Sequence, residues 1–255
     1  MPTTAAARAR APSPAALLAA LATVRDPELD QPVTELGFVA ACTISADGAA
    51  EVRLRLPTYF CAPNFAYLMV ADAYEAVAAL PGVRIARVVL EDHFAAEAIN
   101  GGVAAGQGFA RSFDGEAVGE LHKLRADFLR KAVLAGTDQV CRTLTARRAG
   151  GADDTGLRTL KLGDVPASAA LDRLRRRRAE LGLPAGDDAP LLINPVTGDP
   201  VSPDAVPQHR RLARLTAVSI EANASICSGM LRHRYRSPGL GEAGPDGPPA
   251  GEETQ

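Results

Sequence analysis

Two short extended runs joined by an Asp-Gly turn constrain this chain of 255 residues more than any other feature. In FVAACTISADGAAEVRLRLPT, from Phe38 to Thr58, Val52, Leu54 and Leu56 alternate with Glu51, Arg53 and Arg55. That is the period-two pattern of a strand with one buried face and one wet face. Asp47-Gly48 supplies the turn chemistry that folds this strand back on the run before it. A two-stranded hairpin is marginal by itself, so its apolar face needs a covering layer.

The flanking sequence provides that layer. Upstream, SPAALLAALATV offers Ser13 as an N-cap, Pro14 at the first helical position, and Leu17, Leu18, Leu21 and Val24 along one face. Pro27 in RDPELDQP then stops the helix, since it lacks an amide hydrogen and pushes Asp26 out of helical geometry. Downstream, Phe65, Leu68, Met69, Ala73, Val77 and Leu80 recur at helical spacing until Pro81-Gly82. RIARVVLED reads as a third strand. The order helix, β-hairpin, helix, strand defines a small two-layer α+β domain over residues 13–100.

The rest of the chain has a different character. Val118, Leu121, Leu124, Phe128, Leu129, Val133 and Leu134 form the stripe of a long helix, with Gly136 as a point of interruption. Further helices are expected in ASAALDRLRRRRAELG and HRRLARLTAVSIEANASICSGMLRHRY. The Pro-, Gly- and Asp-rich connection between them holds one short strand at Leu191 to Asn194. Residues 101–236 are thus read as mainly helical, with a disordered leader at 1–12 and a disordered, apolar-poor tail at 237–255.

Composition narrows the functional classes. A net charge of −2 gives no electrostatic footprint for nucleic acid, and no apolar run is long enough for a membrane span. The N-terminus lacks the apolar stretch of a secretory signal. Cys42, Cys61, Cys141 and Cys227 lie far apart without a CxxC pair, against a zinc knuckle or a dense disulfide framework. A cytoplasmic protein with free thiols is the simplest reading.

Several residues carry candidate chemistry, each beside a plainer reading. Cys61, in PTYFCAPN, ends a strand just before a helix start, where backbone amides favour a thiolate; equally, it is a small buried hydrophobe. Asp26 and Glu28 flank a proline, so the turn either points two carboxylates at one site or simply stops a helix in solvent. Asp92, His93 and Glu97 bring oxygen and imidazole donors to the end of the third strand. If the chain is helical from Ala95, His93 and Glu97 share a face as iron or zinc ligands; otherwise the acids complement a helix dipole. Cys227, with Asn223 a turn earlier and His233 beyond, is either a site or helix packing, and packing is preferred. Arg173 and Arg175 to Arg178 read as a solvated helix face rather than a phosphate contact. NGGVAAGQGF lacks the strand and the Lys-Ser/Thr of a P-loop.

Taken in order, VRDPELDQPVTELGFV, TYFCAP after a hairpin, and LPGVRIARVVLED resemble the iron-sulfur cluster assembly domain family, which includes cytosolic iron-sulfur targeting factors, SufT proteins and the PaaD component of phenylacetate degradation. The family's Asp-Pro-Glu turn falls on Asp26, Pro27 and Glu28, its Leu-Gly pair on Leu36 and Gly37, its Thr-x-x-Cys corner on Thr58 and Cys61, and its LPGV element on Leu80 to Val83. The chain departs from the pattern at Ala62, where members have proline, and at Glu91 to Phe94, where they carry an aromatic-Asp-Pro-Pro segment.

The resemblance, over residues 14 to 95, implies a non-catalytic maturation factor. Cys61, Thr58, Asp26 and Glu28 would handle a transiently bound iron or iron-sulfur cluster, with Asp92, His93 and Glu97 as further candidate ligands. It implies a client metalloprotein, such as a multicomponent non-haem iron oxygenase, or other assembly proteins as partners. A single cysteine per chain also suggests a homodimer to complete a cluster's ligands. Two alternatives stand beside it: a thiol enzyme with Cys61 as nucleophile and His93 as base, and an interaction scaffold without metal.

Overall fold

The computed structural model describes residues 11–106, 118–147 and 154–235. The expected leader and tail lie largely outside these residues. The first unit has the α+β order read from the sequence: α1 (Pro14–Leu21), β1 (Val39–Ile44), β2 (Ala49–Arg55), α2 (Pro63–Ala78) and β3 (Ile85–Glu91), followed by α3 (Ala96–Ala104). Ser13 caps α1, its Oγ accepting from the Ala16 amide at 3.2 Å. β2 is central, antiparallel to β1 and parallel to β3, with Val52 opposite both Cys42 and Val88.

This register decides the two faces of the sheet. Val52, Leu54, Val88 and Leu90 are buried beneath the helices, along with Leu17 and Leu21 of α1 and Met69, Val70 and Val77 of α2. Ile99 and Val103 of α3 join the same core, so it reaches three residues past the boundary expected at 100. On the opposite face Arg53 pairs with Glu91 at 2.7 Å, and Glu51 lies 3.8 Å from both Arg53 and Arg87.

The turn between β1 and β2 requires glycine. Gly48 has φ +86°, and a Cβ there would collide with the Gly82 carbonyl oxygen of the next loop. Gly48→Ala is therefore expected to destabilise the protein by about 1–3 kcal/mol, more than the few tenths a free turn would cost. Urea denaturation measures this; a loss below ~0.5 kcal/mol would show that the two loops separate freely.

The described C-terminal residues are mainly helical, as expected: α4 (Val118–Arg147), α5 (Asp154–Thr159), α6 (Ala169–Glu180) and α7 (Val206–Arg234). Val133, Val140 and Leu144 of α4 pack with Leu157, Leu171, Leu174 and Val206 in a second core. α4 runs unbroken through Gly136, which faces Leu174 of α6 about 3.5 Å from where a Cβ would stand, an ordinary packing distance. The strand expected at Leu191 to Asn194 does not form. Isolated bridges pair Lys161 with Pro190 and Ile193 with Pro200, while Leu191, Leu192 and Ile193 plug the core from an irregular segment.

The arginine run is not a solvated face. Arg178 is fully buried and donates to the carbonyls of Pro190 (2.8 Å) and Leu191 (2.6 Å), binding the connection to α6. Arg177 is also buried, and pairs with Asp30 at 2.6 Å and with Glu180 at 2.5 Å. Arg176 is exposed and Arg173 and Arg175 half-buried, as helical geometry, which turns adjacent residues by about 100°, leaves one side of the run outward.

The helices are fastened to the first unit. Arg125 of α4 makes a bidentate pair with Asp72 of α2, at 2.7 and 2.9 Å, and Phe128 stacks edge-on against Phe65. α7 contributes Val206 to the second core and Ala224 and Leu231 to the first. Its 29 residues span about 43 Å, enough to touch both.

Candidate functional site

The corner between β2 and α2 holds Cys61 one residue ahead of Ala62, the N-cap of α2. Its Sγ lies 3.3 Å from the Thr58 hydroxyl, which in turn accepts from the Phe60 amide at 3.3 Å. The Thr-x-x-Cys spacing thus closes a turn that holds the thiol half-buried. The sulfur's polar neighbour is this hydroxyl, where helix-start amides were the expectation.

His93 supports the corner from beneath. It is buried, its Nδ1 accepts from the Ala95 amide at 3.2 Å, and its Nε2 lies 2.7 Å from the Cys61 carbonyl oxygen. An accepting Nδ1 leaves the proton on Nε2, which donates to that carbonyl. Burial, and then Arg234, push the imidazole below its usual pKa, against the opposing effect of the carbonyl contact. His93 therefore has both nitrogens occupied. It precedes the helix that begins at Ala96, so it does not share a helical face with Glu97 as expected for a ligand pair. Asp92 and Glu97 are exposed, and among the described residues no group of three His, Cys, Asp or Glu side chains is placed to hold a metal ion.

The Asp-Pro-Glu turn splits its two carboxylates. Asp26 is buried, and its Oδ1 accepts from the amides of Glu28 (2.9 Å) and Leu29 (2.8 Å). Burial raises its carboxyl pKa to about 6 despite those bonds. Glu28 instead turns toward α7 and accepts from Asn223 Nδ2 at 3.3 Å. Asp30, at φ +51°, closes the turn by accepting Arg25 at its carbonyl and Arg177 at its carboxylate.

Cys227, read from the sequence as packing, is brought to this region by α7. Its thiol is half-buried against the same core as Cys61. Burial pushes it up to about 11, and the negative charges of Asp26, Cys61 and Glu28 act in the same direction. The asparagine one turn earlier was the signal available in the sequence, but its partner Glu28 is 195 positions away. His233, the third member of that grouping, lies with Glu35 and Arg55 along a separate groove of about 680 Å³.

Around the corner three aromatic rings are exposed: Phe60 (77%), Phe94 (50%) and Tyr59 (47%). They pack on one another with centroids 5.0 to 6.3 Å apart. The Phe94 amide donates to the Tyr59 carbonyl at 3.2 Å, which ties the patch to the cysteine turn.

Fold and corner together describe a small α+β domain that presents a supported thiol at a strand-to-helix junction. Residues 14–89 match the family model described as iron-sulfur cluster assembly protein, so the first unit is similar to that family. The match contains Asp26, Glu28, Thr58 and Cys61. It stops before Asp92, His93 and Glu97 and leaves out every C-terminal helix. No curated protein and no solved structure matches the chain. Among the described residues no helix is long and apolar enough to cross a membrane.

Proposed function

We propose that this protein is a non-catalytic maturation factor that carries iron or an iron-sulfur cluster transiently at Cys61 and passes it to a client metalloprotein in the cytoplasm. The observation that carries this reading is the half-buried Cys61 thiol, held by Thr58 and His93 inside the assembly domain. Thiolate is a soft donor suited to iron-sulfur cargo. A carrier must also release what it holds, and a thiol with few neighbouring ligands suits that task better than a closed cage.

The exposed Tyr59, Phe60 and Phe94 rings offer a client an apolar surface beside the cargo, and aromatic residues are favoured at such contacts. A multicomponent non-haem iron oxygenase is the client class suggested by the resemblance. A thiol enzyme is less well supported, because the imidazole nearest the corner gives its proton to the Cys61 carbonyl.

Anaerobic reconstitution with iron and sulfide tests the proposal. The wild-type protein is expected to develop sulfur-to-iron absorption and to retain iron through gel filtration, and Cys61→Ala to lose most of both. Identical spectra and iron content in the two proteins would remove Cys61 from the cargo site.

A further inference from the structure

α7 is apolar on two sides. Val206, Ala213, Ala217, Ala224 and Leu231 turn inward and are buried. Leu212, Leu215, Val218, Ile226 and Met230 each leave between 39% and 62% of their surface in solvent. At the turn of an α-helix these five fall within about 120° of arc, on the side away from the buried residues, in a stripe about 27 Å long. Exposed apolar side chains scattered singly need no explanation, but five of the eleven large ones exposed among the described residues stand in this one row. Ser219 and Ala222, in the middle of the stripe, are exposed and small, so the backbone of a second helix can come close there. Beside them Leu215, Thr216 and Ile220 border a groove of about 280 Å³ with Phe128 and Lys131 of α4.

Charge decides what fits this face. α7 carries five arginines and one acid, Glu221, although the chain as a whole has a net charge of −2. Glu221 is engaged by Arg142 at 2.8 Å, and Arg214 lies 3.5 Å from Asp138. Arg211 and Arg232, towards the two ends of the stripe, are exposed and make no ion pair among the described residues. Lys131, exposed at the groove, lies over the Phe128 ring. A second copy of α7 would set arginine against arginine, Arg211 beside Arg211 in a parallel pair and Arg232 beside Arg210 in an antiparallel pair centred on the stripe, and like charges brought together oppose docking. A partner with carboxylates at those places reverses the sign.

We propose that the outer face of α7 is a docking surface for an amphipathic helix of a partner protein, one whose apolar residues are flanked by Asp and Glu. Such a helix seats anchors spaced at three and four residues, as the stripe is spaced, with its central anchor in the groove beside Leu215 and its acids at Arg211 and Arg232. The surface makes no use of Cys61, so it holds whether or not that thiol carries the cargo.

The probe is a fluorescent synthetic helix of about 18 residues, the length that matches the stripe, with leucines at the a and d positions of a heptad and glutamates beside them. The same helix with lysine for glutamate is the control. Anisotropy titrations of the full chain are expected to show about tenfold tighter binding of the glutamate helix, weakening as salt is added. Leu215→Glu and Ile226→Glu alter exposed side chains, so circular dichroism should not change, yet each is expected to weaken binding about tenfold. Arg211→Glu combined with Arg232→Glu should abolish the preference for glutamate over lysine. Equal binding of the two helices, or glutamate-helix binding indifferent to Leu215→Glu and Ile226→Glu, would overturn the proposal. So would light scattering that finds a dimer dissolved by Leu215→Glu, which gives the face to a second copy, or tighter binding of phosphatidylserine vesicles through the same residues, which gives it to a membrane.

Discussion

Arg178→Ala is expected to lower the unfolding free energy by about 3–5 kcal/mol. Three effects set the magnitude. Burying the guanidinium is itself costly: desolvation lowers its pKa from 12.5 to about 10, equivalent to roughly 3 kcal/mol at 1.36 kcal/mol per unit. Against this stand two short charge-assisted bonds, to Pro190 and Leu191, each worth about 1.5–3 kcal/mol. Truncation also leaves a cavity beneath the connection and two carbonyls without their donor, which turns a near balance into a large net loss. Arg178→Lys should recover only part of it, since a single ammonium cannot reproduce the planar fork. Urea denaturation of the three proteins decides the matter. A change under ~1 kcal/mol for Arg178→Ala would mean that water satisfies these carbonyls equally well.

Asp26→Asn is expected to stabilise the protein at neutral pH by up to about 3 kcal/mol and to do nothing near pH 4. An exposed aspartate has a pKa of 3.8 and this one is raised to about 6, so between those values the folded state binds more protons than the unfolded state. Stability due to this group is therefore fully present below pH 4 and is lost as pH rises through about 6. A rise from 3.8 to about 6 corresponds to roughly 3 kcal/mol. Asparagine keeps the oxygen that accepts from the Glu28 and Leu29 amides but cannot ionise. Unfolding free energies measured from pH 4 to 7.5 should diverge across that window; parallel curves would show that Asp26 titrates as it does in the unfolded chain. A carboxylate kept at such a cost belongs to the kind of position that function retains against stability.

Much of the first unit was legible because its signals are local. The alternation of Val52, Leu54 and Leu56, the Ser13 cap, the Asp47-Gly48 turn and the Pro81-Gly82 stop each act within a few residues, and each matches the structure, whereas α1 ends at Leu21, well before the stop expected at Pro27. The cysteine corner was legible for the same reason, since Thr58 and Cys61 meet three residues apart. The role of His93 was not. Its acidic neighbours suggested a ligand set, whereas the return of β3 beside the corner points the imidazole at a backbone carbonyl 32 positions earlier.

What the sequence determined alone was the order of helix, hairpin, helix and strand in the first unit and the place of a cysteine at its strand-to-helix junction, because periodicity and turn chemistry are properties of neighbouring residues. Tertiary structure alone decided which members of Arg175 to Arg178 are interior, and that Asn223 and Cys227 of α7 pack onto the first unit, Asn223 reaching Glu28 from 195 positions away. Those outcomes depend on which surfaces meet after the helices pack, and burial against a distant partner leaves no periodic trace in the residues that undergo it.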